Sequence, residues 1–232
     1  MGNKFLLYFL PGIVPILLLL VVHRIYGEKL PSITILMAID FLVTIPLMIF
    51  MISEVTGQPF GLGVIKDIFK SQARMSFWPL AGLTLVSLLW AIGCFILLKP
   101  VTEFLGQNVF GWISDWFSPG LFPHKQNASI IKLSWFIMIP FSIIMPLMEE
   151  LYFRGFLLPK EPYEDYRAPL INTVLFCAYH IWSPQVFVTR VIATFPMNYL
   201  VWKHKNIFLS IIPHVLLNLI GDVFLIYPRV FG

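Results

Sequence analysis

"PLMEELYFRGFLLP", residues 146–159, sets Glu149, Glu150 and Arg154 inside apolar sequence, at the end of a long run rich in Trp, Phe, Ile and Met. If that run crosses a bilayer, each ionisable group near its centre costs roughly 2.5–3.5 kcal/mol on insertion scales. A chain keeps such groups in lipid when they face one another, or face a wet cavity. The reading of these fourteen residues therefore decides what the rest of the chain must be.

The composition makes the membrane reading general. Of 232 residues, 58% are hydrophobic and 12% charged, with a mean hydropathy of +0.83. A soluble domain is about 45–50% apolar and about 25% charged. The excess is spread along the chain, so it is not a soluble domain with one anchor. Seven stretches approach the ~20 apolar residues needed to span a bilayer: about 5–22, 33–52, 78–98, 131–157, 168–182, 185–202 and 207–227. All are expected to be helices, because hydrocarbon offers backbone groups no other partner. Pro11, Pro46, Pro140, Pro146, Pro196 and Pro213 fall inside them and predict kinks rather than breaks. The first run exceeds the ~7–15 residues of a signal-peptide core and no small-x-small cleavage site follows, so it reads as a span.

The net charge of +4 comes without a dense basic run, which excludes nucleic acid as a partner and leaves lipid. Cys94 and Cys177 lie in apolar segments without a CxxC pair and read as small buried hydrophobes. Residues 53–77 predict an amphipathic interfacial helix, and the aromatic-rich residues 99–130 a lid or partial re-entry. With the N-terminus and the loops 53–77, 158–167 and 203–206 on one side, eight Lys/Arg face six on the other, which leans to a cytoplasmic N-terminus.

The intramembrane ionisable residues are Asp40, Glu149, Glu150, Arg154, His180, Arg190, His214 and Asp222, concentrated after residue 148. The C-terminal half is thus expected to hold the chemistry and the N-terminal half to pack around it. Glu150 and Arg154 are four apart on one helix face, with Glu first, the favourable order for a pair. Glu149 is turned by about 100° from Glu150, so it is free to act. "FCAYH" puts Phe176 and His180 four apart, and "HVLLN" does the same for His214 and Asn218. A carboxylate, a histidine and a histidine–asparagine pair suit peptide hydrolysis by activated water. Glu149 serves as base, His180 holds the water, and His214 with Asn218 donate to the oxyanion. The same residues, as zinc ligands with one open position, would make a zinc-dependent protease, although HExxH is absent. Asp40 with Asp222 lacks a complete GxGD signature, and GxSxG is absent. A proton-relay transporter would also use intramembrane Glu and His.

The ordered set of EExxxR (Glu149, Glu150, Arg154), FxxxH (Phe176, His180) and HxxxN (His214, Asn218) resembles the CPBP family of CAAX proteases and bacteriocin-processing enzymes, also called Abi, which includes the type II CAAX prenyl endopeptidases. The resemblance covers about residues 146–221. It implies an all-α polytopic membrane protein of about seven transmembrane helices enclosing a polar cavity. One membrane domain would span 1–232, with 1–130 as helices without motifs and 131–227 as the catalytic core. It implies an intramembrane glutamate-type endopeptidase without cofactor, acting on a peptide or prenylated protein. Glu149, His180, His214 and Asn218 carry the catalytic roles, supported by Glu150, Arg154 and Phe176. The compact length fits a prokaryotic member in the cytoplasmic membrane. Some relatives act in bacteriocin immunity without demonstrated proteolysis, so a non-catalytic membrane protein stands as the alternative. Arg190 follows the tight "WSPQ" turn and either meets a substrate carboxylate or pairs structurally with Asp222 or Asp40.

Overall fold

The computed structural model describes residues 3–26, 30, 32–112 and 128–221, and every regular element among them is helical. Helix α1 spans Lys4–Tyr26. Helix α2, Ser32–Ile39, runs through a π-helical turn, Asp40–Thr44, into α3, Ile45–Thr56. Gly57 ends α3 with φ 70°, the left-handed cap that glycine takes without a Cβ clash. Helices α4 (Gly63–Lys70), α5 (Phe77–Leu97) and α6 (Lys99–Asn108) follow. Helix α7, Ala128–Glu150, continues into a second π segment, Leu151–Leu157. Helices α8 (Arg167–Tyr179), α9 (Phe187–His204) and α10 (Phe208–Gly221) complete the order.

Four helical stretches are long and apolar enough to cross a membrane: Lys4–Tyr26, Thr34–Thr56, Phe77–Leu97 and Lys132–Lys160. The protein is an integral membrane protein built from these. Seven expected spans thus become four by length and composition among the described residues. The other three are helices, but α8 and α10 have 13 and 14 residues, about 20 Å at ~1.5 Å per residue. Helix α9 has 18 residues and carries Arg190, Asn198, Lys203 and His204. The end of the expected 207–227 span, with Asp222, lies outside the described residues, as do Trp116, Phe117 and Phe122 of the expected lid. Chains run helically through Pro11, Pro140, Pro146, Pro196 and Pro213, and Pro46 sits in the first turn of α3, directly after the π turn.

Large apolar side chains point outward along the spans, among them Leu17, Val21, Leu42, Trp78, Ile96 and Leu97. Such a surface fits lipid and not water. The main core gathers Tyr8, Met48, Ile52, Ile68, Met148, Tyr152, Phe153 and Phe176 around the second π segment. Helices α5 and α9 close the other side through Ala91, Cys94, Ala193 and Met197. Cys94 and Cys177 are free and buried, as expected. Helix α4 is amphipathic, with Val64 and Ile68 buried and Lys66 and Asp67 exposed.

Two sets of contacts tie the N-terminal helices to the motif-bearing ones at a common end of the bundle. Lys4 pairs with Glu161 at 2.6 Å, and Tyr8 donates to the same carboxylate at 2.6 Å. Asn206 donates to the Ala73 carbonyl and Gln72 accepts from the Ile207 amide, both at 2.8 Å. Gly155 lies so close to Ile68 that a Cβ would sit 2.5 Å from its methyl group, which docks α4 on the second π segment. Helix α1 crosses the site at Gly12, where a Cβ would lie 2.5 Å from the Tyr179 carbonyl oxygen. A close approach of this kind needs glycine.

Candidate active site

Glu149 and Glu150 are the last two residues of α7, and the backbone widens into the π segment directly after them. π turns interrupt helices mostly where function requires a local change of phase. Glu149 is 5% exposed. Three side chains from two other helices meet it. Tyr179 at the end of α8 donates its hydroxyl to Oε1 at 3.2 Å. His180 brings Nε2 to 3.6 Å from the same oxygen, and His214 on α10 brings Nε2 to 3.8 Å from Oε2. His180 uses Nδ1 on the Phe176 carbonyl at 2.9 Å. A carbonyl only accepts, so Nδ1 holds the proton and Nε2 is the nitrogen turned to Glu149.

Glu150 is fully buried, and its partners revise the expected division of labour. Arg154 approaches it through Nε at 3.3 Å, but the angle does not make a hydrogen bond, and Nε, Nη1 and Nη2 have none among the described residues. The π segment accounts for this: its wider turn takes Arg154 off the straight i,i+4 line. The guanidinium instead lies over the Phe176 ring, 3.7 Å from the centroid, a cation–π contact that gains from burial. Phe176 thus supports Arg154, while its carbonyl orients His180. The firmer partner of Glu150 is His214, whose Nδ1 is 2.7 Å from Oε1. The pair expected on one helix is a three-member chain, Arg154–Glu150–His214, across two helices.

These groups open on a cavity of about 420 Å³ lined by Asp40, Glu149, His180, Arg190, His214 and Asn218, with apolar walls from Met138, Phe141 and Leu217. His214 and Asn218 face it together, as their spacing on one helix predicts. The structure therefore brings Glu149, His180, His214 and Asn218 to one cavity, with Phe176 in its wall and Glu150 and Arg154 behind. Arg190 lines the same cavity. Its Nη2 donates to Ser183 Oγ at 2.9 Å, and its Nη1 is buried without a partner among the described residues. Arg190 forms no ion pair with Asp40, which accepts from Thr44 Oγ1 at 2.7 Å. Asp222 lies outside the described residues. Among the described residues no three His, Cys, Asp or Glu side chains form a group that could hold a metal ion.

Two lining groups escape a motif reading. Tyr179 adjoins His180, but nothing in its spacing marks it. Asp40 stands out as an ionisable residue in an early span, yet only packing of that span against α7 brings it to the cavity. A second cavity, about 490 Å³ and almost wholly apolar, lies on the far side of His180 between α6, α8 and the start of α9. Leu105, Phe110, Cys177, Ile181 and Phe187 line it.

Comparison with known proteins matches residues 131–220 to one family model, described as type II CAAX prenyl endopeptidase, Rce1-like. No curated protein and no solved structure matches the chain. The matched stretch holds all three motifs and the Tyr179, His180 and His214 side chains that meet Glu149. Residues 131–220 are thus similar to the Rce1-like type II CAAX prenyl endopeptidases, the kind of membrane protease that the three motifs also resemble.

Proposed function

We propose that the protein is an intramembrane endopeptidase that hydrolyses a peptide bond with a water activated by Glu149 and His180. The observation that carries this is the gap between them. At 3.6 Å, Glu149 Oε1 and His180 Nε2 are too far apart for a direct hydrogen bond. Both accept when His180 is neutral, so a single water donating one proton to each closes the gap. The water oxygen attacks the scissile carbonyl carbon as Glu149 takes its proton. The carbonyl oxygen becomes an oxyanion facing His214 and Asn218. Glu149 then returns the proton to the amide nitrogen and the C–N bond breaks. His214 gives Nδ1–H to Glu150, so it donates from Nε2 only when it holds both protons. Glu150 offsets that charge at 2.7 Å.

The substrate is a membrane-associated peptide of the prenylated CAAX type. The apolar cavity beside His180 supports this, since it offers room for a hydrocarbon chain next to the reacting bond. No cofactor enters the steps above. In this reading the chain is one membrane domain over residues 1–232, and α8–α10 complete a seven-segment bundle as shorter segments shielded by protein at membrane depth. It sits in a prokaryotic cytoplasmic membrane with a cytoplasmic N-terminus.

The test uses detergent-purified protein with matched prenylated and unprenylated C-terminal peptides, with cleavage read by mass. Release of a C-terminal fragment that disappears in Glu149→Gln supports the proposal. Full cleavage by Glu149→Gln refutes it, and so does the absence of any cleavage by the natural chain.

A further inference from the structure

We infer that Asp40 selects the substrate: its carboxylate receives a basic side chain of the peptide close to the reacting bond. This inference rests on the proposed proteolytic function and adds a substrate feature to it. Asp40 lies outside the matched stretch, on the N-terminal span Thr34–Thr56. It stands about 9 Å into that span at ~1.5 Å per residue. A carboxylate at such a depth is costly and marks a partner or a ligand path. The path is present here, because Asp40 lines the cavity that holds Glu149, His180 and Asn218.

The local structure presents the carboxylate to that cavity. Asp40 opens the π turn Asp40–Thr44. Thr44, fully buried at the other end of the turn, donates to Oδ1 at 2.7 Å. Phe41 packs edge-on against Phe141 of α7, with centroids 5.7 Å apart, and seats the turn on the cavity wall. The two π segments among the described residues share one relation to the site. Asp40 begins the first, and Glu149 and Glu150 directly precede the second. π turns recur at functional sites, and these two bring Asp40 and Glu149 from separate spans to one cavity. Like charges repel, so a cation that enters beside Asp40 is attracted by both carboxylates. Phe95, Phe141 and Trp182 in the walls add aromatic faces, which favour ammonium and guanidinium groups. A peptide supplies such a cation from a Lys or Arg side chain, or from the amine released by cleavage. The side chain is favoured, because the amine forms on the atom that takes its proton from Glu149, whereas Asp40 reaches the cavity from another span.

The test uses one prenylated C-terminal peptide carrying Lys, norleucine or Glu at a single position, moved in turn through the residues that flank the cleaved bond. For the natural chain, at one of these positions, kcat/KM for Lys should exceed that for norleucine by roughly tenfold to a hundredfold, the range for a hydrogen bond to a charged group. Glu at that position should be the poorest of the three. The difference should lie mainly in KM. Asp40→Asn should bring the Lys-to-norleucine ratio near one, and Asp40→Glu should keep part of it. If Asp40→Asn does not fold, Thr44→Val leaves the carboxylate present but unheld and should shrink the ratio. An unchanged ratio in the variant that folds overturns the inference. Equal cleavage of the Lys and norleucine peptides by the natural chain at every position overturns it too, while Glu149-dependent cleavage of both leaves the proteolytic reading standing. Equal cleavage together with product inhibition that Asp40→Asn relieves would replace the side chain by the released amine. If no peptide is cleaved in a Glu149-dependent manner, the proteolytic reading fails and the inference fails with it.

Discussion

Tyr179→Phe is the most economical test of how Glu149 is held. The substitution removes one oxygen and keeps the ring, which packs 4.9 Å from Phe153, 4.7 Å from His180 and 5.2 Å from Trp182, centroid to centroid. The hydroxyl donates to Glu149 Oε1 at 3.2 Å. Hydrogen bonds to charged groups are worth about 1.5–3 kcal/mol, and short charge-assisted O–H···O⁻ bonds run at about 2.5–2.7 Å. At the longer distance found here the lower end applies, about 1.5 kcal/mol. With ~1.36 kcal/mol per factor of ten, kcat/KM should fall roughly tenfold. The loss should appear in kcat, because Tyr179 acts on the base and not on the substrate. The assay is steady-state cleavage of a C-terminal peptide, with Glu149→Gln as the background rate and detergent-phase thermal unfolding as the check on folding. An unchanged kcat/KM, or a loss confined to KM, would refute the view that Tyr179 orients the base. A loss as deep as that of Glu149→Gln would refute it in the other direction, since it would put the hydroxyl in the chemistry.

Glu150→Gln should lower stability by about 3–5 kcal/mol, because it strips buried Arg154 and His214 of their shared carboxylate; an unchanged unfolding midpoint would contradict the chain of contacts. Gly12→Ala should cost about 1–3 kcal/mol through overpacking, since the new methyl group would meet the Tyr179 carbonyl, whereas Gly93→Ala, with nothing within 4 Å of its Cβ position, should not lower the midpoint. Dialysis against a strong chelator should leave Glu149-dependent cleavage intact, with zinc well below one per chain by elemental analysis; chelator-sensitive activity restored by zinc would replace the water-activating role of Glu149 and His180 with a metal-bound one.

Helix period carried much of the candidate site into view at the level of residue type. His214 and Asn218 share a face because they are four apart, and that relation survives folding intact. Glu149 points away from Glu150 because adjacent residues on a helix must. The relation of Glu150 to Arg154 followed the same rule and held less well. The chain passes from α-helical to π-helical geometry between them, a change of phase that no residue in "ELYFR" announces. The shortfall in span number has a similar origin. A hydropathy reading counts apolar residues, but α8 is bounded by turns that stop it at 13 residues.

By itself the sequence determined a helical membrane chain, the faces on which its polar residues lie, and the motif order that carries its family resemblance. These depend on composition and on contacts within a few residues, which the chain carries wherever it folds. Tertiary structure alone decided that Tyr179, His180 and His214 converge on one carboxylate, that Glu150 serves a histidine as well as an arginine, that Asp40 from an early span lines the same cavity, and that Arg190 stays without a counter-ion among the described residues. Each of these is a distance between helices, set by close packing at places such as Gly12 and Gly155. Such distances are properties of the assembled bundle and have no local signature for a sequence to display.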